Sequence, residues 1–433
     1  MAIVKLLRAL LIIFVFLATF FPVYVNISAF ARENIDIKST QSSPLDLEGA
    51  IDEYPKRREV LETIKGVEQA IKEDPTNRSY YEMLAFLYDY IGEYRKSLEA
   101  VKKQIEYYPE NGEDLGILYG NLARQYLNLD RLDEAKPAID KSLEHEPDNL
   151  INRMHALQYY ILKEQYHEAG LELNIMTEYG EQWGLDRDFY YEIFTYFFNR
   201  PDYKVDMVKV YKEAVKVNPS SHLSHRTLAI VTRNTSLQDI DKNFPVIMKE
   251  FNKALKLNSE YVPTYIAVAN TYLFRALKTK DNKYFDDCMK WLDEASKLEP
   301  NNLRLGYAIG NALMHMELYD KAIKKLEYVI DKGFVEEYVF DRLADVYNAK
   351  AYSFYEKGKN LEEALDIIDK AIKLKPKDGV ILSTKAEILY KMKRLEEAYE
   401  YIKEGIKLEP NHTEMKQDLV NIEKALKEAK RNK

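Results

Sequence analysis

Ala371-Ile372-Lys373-Leu374-Lys375-Pro376 closes one helix, and Gly405-Ile406-Lys407-Leu408-Glu409-Pro410 closes another 34 residues later. The same ending occurs as Ala70-Ile71-Lys72-Glu73-Asp74-Pro75, Ala214-Val215-Lys216-Val217-Asn218-Pro219 and Ala295-Ser296-Lys297-Leu298-Glu299-Pro300. In each a small residue and apolar positions at helical spacing run into a proline, which disfavours helix in the residue before it and so ends the segment. Recurrence every 34 residues or so, stretched in places to about 42, predicts a stack of helical hairpins, each burying its apolar face only against its neighbours.

Upstream of the stops the pattern is equally regular. Tyr81, Leu84, Ala85 and Tyr88 form one stripe, followed by Gly92-Glu93-Tyr94, Ser97, Val101 and Pro109; Tyr119, Leu122, Ala123, Tyr126, Ala135, Ile139 and Pro147 repeat it. Small residues sit where helices cross most closely and larger ones fill the space around them. The pattern resembles the tetratricopeptide repeat family, with an aromatic, Leu-Gly and Tyr on the first helix and Ala, an aromatic and Pro on the second. Further units fit around Tyr160/Ala169, Tyr191/Ala214, Leu228-Ala229/Ala254, Val268-Ala269-Tyr272/Ala295, Ile309-Gly310/Ala322, Ala364/Ala371 and Ala386/Ala398. The resemblance implies an all-α, right-handed α-solenoid of about nine antiparallel hairpins over residues 78–410. A lead-in helix is expected over 56–77, and a C-terminal capping helix with a basic tail over 411–433.

Two departures are informative. Lys278-Thr279-Lys280-Asp281-Asn282-Lys283 predicts a long exposed loop inside one hairpin. Between Phe340 and Ala364 two registers compete, Leu343-Ala344-Tyr347 and Ala351-Tyr355, which predicts a first helix about two turns longer than its counterparts.

At the other end, Lys5 and Arg8 precede an apolar stretch from Ala9 to Val25, and Ser28-Ala29-Phe30-Ala31 offers a small-x-small cleavage site. Residues 1–31 read as an export signal, or as an uncleaved membrane anchor of just sufficient length. Either reading places the repeats outside the cytoplasm, periplasmic, secreted or anchored, with residues 32–55 as a polar linker. Cys288 is the only cysteine of 433 residues, so an intrachain disulfide is excluded, and its place on a second helix predicts a packed thiol. The formal charge of -8, which removal of Lys5 and Arg8 would make more negative, argues against nucleic acid as the main ligand.

Catalytic patterns are missing from the sequence. Gly358-Lys359 is followed by Asn360 and so is no phosphate loop, while His145-Glu146 and His167-Glu168 lack the second histidine of a zinc protease. His222 and His225 could share a metal or simply open a helix as polar residues. No enzyme, metal site or cofactor is expected. In tetratricopeptide arrays bound peptides lie along the first helices, and the resemblance therefore implies a groove lined by Arg226, Ile230 and Arg233, then Ile266, Asn270 and Leu273, then Tyr307, Asn311 and Met314. Asparagine offers a peptide backbone both a donor and an acceptor, and arginine suits carboxylates. Asn270 and Asn311 fit the asparagine of the family's carboxylate clamp, but Ile266 and Tyr307 replace its lysine, so the clamp is expected to be absent. Replacing Arg226, Asn270 and Asn311 by alanine is expected to leave the fold intact. The expectation is a non-enzymatic scaffold that binds a protein or peptide partner, for assembly of an envelope, secretion or export complex. The alternative is an accessory subunit built permanently into a membrane or enzyme complex.

Overall fold

A computed structural model describes residues 55–108, 112, 114–182 and 207–431. The expected signal, nearly all of the linker, and Tyr191 lie outside the described residues. Every regular element among the described residues is helical, nineteen α-helices and one short 3-10 turn. None of these helices is long and apolar enough to cross a membrane. The chain divides into two compact units, one up to Pro219 and one from Ser220.

The first unit contains α1 (Pro55–Glu73), α2 (Arg78–Tyr90), α3 (Tyr94–Glu106), α4 (Leu115–Asn128), α5 (Leu132–His145), α6 (Leu150–Leu162), α7 (Tyr166–Gln182) and α8 (Met207–Val217). Successive helices pack as hairpins, and α1 packs on α2. Ala123, Ala135 and Ala169 are fully buried at the crossings, and the Ser97 hydroxyl donates to the Ala85 carbonyl at 2.8 Å. A polar group is folded into the same layer. Asp89 on α2 accepts from Gln125 Nε2 at 2.9 Å and pairs with Arg124 at 3.3 Å, both on α4. His155 on α6 lies beside them with 7% of its surface exposed, and its Nδ1 has no hydrogen-bond partner. Burial, reinforced by the Arg124 cation, pushes its pKa down to about 3, so the ring is neutral.

The second unit contains α9 (His222–Thr235), α10 (Ile240–Leu257), α11 (Val262–Thr279), α12 (Lys283–Leu298), α13 (Leu303–His315), α14 (Tyr319–Asp331), α15 (Glu337–Lys357), α16 (Leu361–Leu374), α17 (Gly379–Lys391), α18 (Leu395–Leu408) and α19 (Thr413–Arg431). Five hairpins, α9–α10 to α17–α18, are followed by α19, which packs on α18 and α17 through Met415 and Ile422 as the expected cap. Ala229, Ala254, Ala269, Ala295, Ala322, Ala344, Ala364, Ala386 and Ala398 are all fully buried, as the repeat pattern requires. At α17 and α18 the approach is closer still. A Cβ on Gly379 would lie 2.9 Å from the Gly405 carbonyl oxygen, and one on Gly405 would lie 3.0 Å from that of Gly379.

The two kinds of helix begin differently. Five first helices are capped by a side chain: Asn77, Asn149, Ser221, Asn302 and Asp378 each accept from backbone N–H groups of the first turn. Several second helices instead follow a single left-handed residue, Gly92, Asp130, Glu164, Glu317 or Lys393, which reverses the chain in three residues. The region from Lys278 to Lys283 corrects the sequence reading. The extra residues lengthen α11 and α12 to 18 and 16 residues, leaving a three-residue turn through left-handed Lys280. Lysine is a good helix former, and the extended ends keep their charges in solvent. The predicted lengthening of α15 is present, 21 residues against 13 in α13. Cys288 is 1% exposed, and burial pushes its thiol pKa up to about 12.

Candidate functional site

The first helices α9, α11, α13, α15 and α17 lie side by side, each touching the next first helix as well as its own hairpin partner. The nine residues selected from sequence lie on the first three of these, and the structure divides them. Arg226, Ile230, Arg233 and Leu273 are at most 8% exposed. Ile266, Asn270, Tyr307, Asn311 and Met314 are partly open.

Arg226 and Arg233 cross from α9 to α11. Arg226 Nε donates to the Pro263 carbonyl at 3.5 Å, and Arg233 Nη1 donates to the Ala267 carbonyl and to Thr271 Oγ1 at 3.4 Å each. The Arg233 guanidinium also lies 5.1 Å from the centre of the Phe274 ring. Both arginines thus lie buried against backbone of the next hairpin, not open along a groove as the sequence reading expects. Ten of the fourteen residues of α9 are buried, a band wider than a single packing stripe. His225 belongs to this band: its Nδ1 is 2.6 Å from Glu250 Oε2 on α10. His222 packs edge-on against Tyr261 instead. The two histidines therefore turn to different partners, and no group of three metal-binding side chains gathers among the described residues.

Asn270 and Asn311 occupy equivalent places on α11 and α13. Neither carboxamide is held by the next helix in the way the two arginines are; Asn311 Oδ1 is itself buried and has no hydrogen-bond partner there. Tyr307 meets Tyr338 of α15 edge-on at 5.1 Å between ring centres, and Met314 Sδ lies 3.7 Å from Arg342 Nη1. The row therefore continues onto α15 through Tyr338 and Arg342, which sequence reasoning missed because the two registers there conceal which residues match Asn311. Arg342 pairs with Asp345 at 3.5 Å, while its Nε has no partner. Lys375 closes the group, 3.1 Å from Asp345 and 3.4 Å from Asp341. His315 at the end of α13 has its pKa lowered by burial and by the Arg342 cation, in that order. Small, partly polar and partly aromatic, this row can offer hydrogen bonds to a main chain and apolar contact to alternate side chains.

Family models described as Tetratricopeptide repeat match residues 357–419 and 117–149. The TPR repeat-containing protein MJ1428 of Methanocaldococcus jannaschii is 22% identical over 357 residues, which cover 78% of this chain. The chain spans 59% of the length of that relative. Among solved structures, YrrB, described as a TPR protein with an unusual peptide-binding site, aligns with 50% of this chain and 99% of its own at 16% identity and a TM-score of 0.34. A tetratricopeptide repeat protein of Parabacteroides merdae aligns with 71% of this chain and 99% of its own, at 13% identity and a TM-score of 0.36.

Proposed function

Because the chain is a tetratricopeptide-repeat protein, a kind of scaffold for protein–protein interaction, we propose that it holds an extended segment of a partner polypeptide along α11, α13 and α15. The observation that carries this reading is the row of partly open side chains Ile266, Asn270, Tyr307, Asn311 and Met314 on successive first helices, with the two asparagines at equivalent places one hairpin apart. A passing main chain brings an N–H and a C=O to every residue, which matches a carboxamide's acceptor and donor. Tyr307 and Met314 supply the apolar contacts between. Arg226 and Arg233 build the wall of this surface.

The test uses an array of random extended peptides to select a ligand, whose affinity is then measured by fluorescence anisotropy. Unmade hydrogen bonds at a desolvated interface cost roughly 1 to 3 kcal/mol each. Asn270→Ala with Asn311→Ala is therefore expected to weaken binding at least about tenfold, with the melting temperature nearly unchanged. Equal binding by the double variant would refute the assignment.

The same reading places the scaffold outside the cytoplasm, in the assembly of an envelope, secretion or export complex. Its support is the charged start, the apolar stretch and Ala29-Phe30-Ala31. Protein recovered from its native host should be found beyond the cytoplasmic membrane or anchored in it, and should begin at Arg32 if cleaved. An intact Met1 in the soluble cytoplasm would contradict this.

A further inference from the structure

Four Asn-x-Ser/Thr triplets, the acceptor signal for N-linked glycans, occur in the chain, and three fall on described residues: Asn77-Arg78-Ser79, Asn234-Thr235-Ser236 and Asn411-His412-Thr413. A transferase must reach both the asparagine carboxamide and the hydroxyl two residues on, which favours a surface turn over a helix. The fold places the three differently. Asn234 stands in the last turn of α9; its Oδ1 accepts from Arg233 Nε at 3.0 Å, and the Ser236 hydroxyl donates to the Thr232 carbonyl. Asn77 is half-buried and bonded at both ends of its carboxamide: Oδ1 accepts from the Ser79 N–H at 3.2 Å, and Nδ2 donates to Asp74 Oδ2 at 3.3 Å. Asn77 and Asn411 lie on equivalent stops, one residue out of register. The second residue after the proline caps the helix that follows, as Asn77 does after Pro75, Asn302 after Pro300 and Asp378 after Pro376. After Pro410 the triplet begins one position earlier, so the capping place falls to His412, whose Nδ1 accepts from the Met415 N–H at 3.5 Å. Asn411 and Thr413 are left exposed, and neither side chain makes a hydrogen bond.

We propose that Asn411 is an N-glycosylation site, and that the folded chain withholds Asn77 and Asn234. The proposal rests on the reading that the repeats lie outside the cytoplasm, where such triplets are modified. The sugar donor is an oligosaccharide joined through its anomeric carbon to a lipid phosphate or pyrophosphate. Asn411 Nδ2 forms a bond to that carbon while the bond from the carbon to the phosphate oxygen breaks. The lipid phosphate leaves with the electron pair, and one amide proton passes to a base of the transferase. Asn411 keeps its Oδ1 and one N–H. Since His412 supplies the cap, the modification takes no hydrogen bond from the start of α19. At Asn77 the same reaction would disturb a carboxamide that caps α2 and holds Asp74, and at Asn234 the end of α9 would have to unwind first.

Two experiments separate the site from the export reading. In the first, the folded full chain is incubated with a purified oligosaccharyltransferase and a synthetic lipid-pyrophosphate oligosaccharide, and the products are mapped by mass. A single glycan is expected on the described residues, at Asn411. Asn411→Gln and Thr413→Ala should each abolish it, and Asn77→Gln should retain it. Synthetic peptides spanning the three triplets should all be accepted, because they lack the fold. Modification of Asn77 or Asn234 in the folded chain, or a bare Asn411, overturns the proposal. Refusal of the Asn411 peptide does so equally, and refusal of either other peptide overturns the role given to the fold. In the second experiment, protein from the native host is mapped in the same way. A glycan on Asn411 supports the proposal, and a bare Asn411 in protein recovered beyond the membrane overturns it. Protein found only in the cytoplasm contradicts the export reading instead, and the first experiment then decides whether the acceptor site stands.

Discussion

Acidification from about pH 7 to about pH 4.5 is expected to take roughly 2 to 3 kcal/mol from the stability of the first unit through His155 alone. The ring is buried, its Nδ1 has no partner, and Arg124 is its charged neighbour, so the native state resists the proton that an unfolded histidine accepts at its ordinary pKa of 6.5. A histidine with a depressed pKa binds more protons when unfolded. Its stabilising effect is complete above 6.5 and declines as pH falls towards the folded value near 3. The measurement is denaturant unfolding, with hydrogen exchange over α4 to α6, for the wild type and His155→Leu at both pH values. Other carboxylates titrate alike in the two proteins, so the gap between them isolates the histidine. A gap that does not change with pH would show that the ring is hydrated or protonated in the native state.

The second large effect is steric. Gly405→Leu is expected to cost about 3 kcal/mol or more, because the new side chain meets the carbonyl of Gly379 and not a flexible neighbour that could yield. Met415 Sδ would lie 3.7 Å from the new Cβ, so the damage extends to the seat of α19. Proteolysis should then begin C-terminal to α16. Gly66→Ala provides the opposite case. A Cβ there has nothing within 4 Å, and inside α1 alanine should gain up to about 1 kcal/mol over glycine. If Gly405→Leu melts like the wild type, the close approach of α17 and α18 is wrong.

The stops and small residues disclosed the hairpins because those features are local: a proline ends a helix and an alanine permits a crossing wherever they occur. Even the long α15 was legible, since two overlapping stripes can both be satisfied only by one longer helix. Side-chain direction on the inner face was not. Arg226 and Ile266 occupy comparable repeat positions, yet one lies along a neighbouring backbone and the other stays partly open. The difference goes with the breadth of burial on α9, ten of whose fourteen residues are buried, which the spacing of α9 does not encode. Likewise Lys278 to Lys283 reads as loop by its polarity, although charged residues extend an exposed helix end as readily as they form a turn.

The hairpin order also governs how the chain acquires its structure in time. The side-chain bonds that tie one helix to another link residues close in sequence: Tyr88 to Glu68 spans 20 residues, Gln125 to Asp89 spans 36, and Asn174 to Ala214 spans 40. Closing such short loops carries little entropy cost, and rates of folding rise as contacts become more local. A hairpin can thus form as soon as its second helix has emerged from a ribosome or a translocation channel, using the preceding hairpin as its template. Assembly in this manner is vectorial, with α19 docking only after the hairpin that seats it.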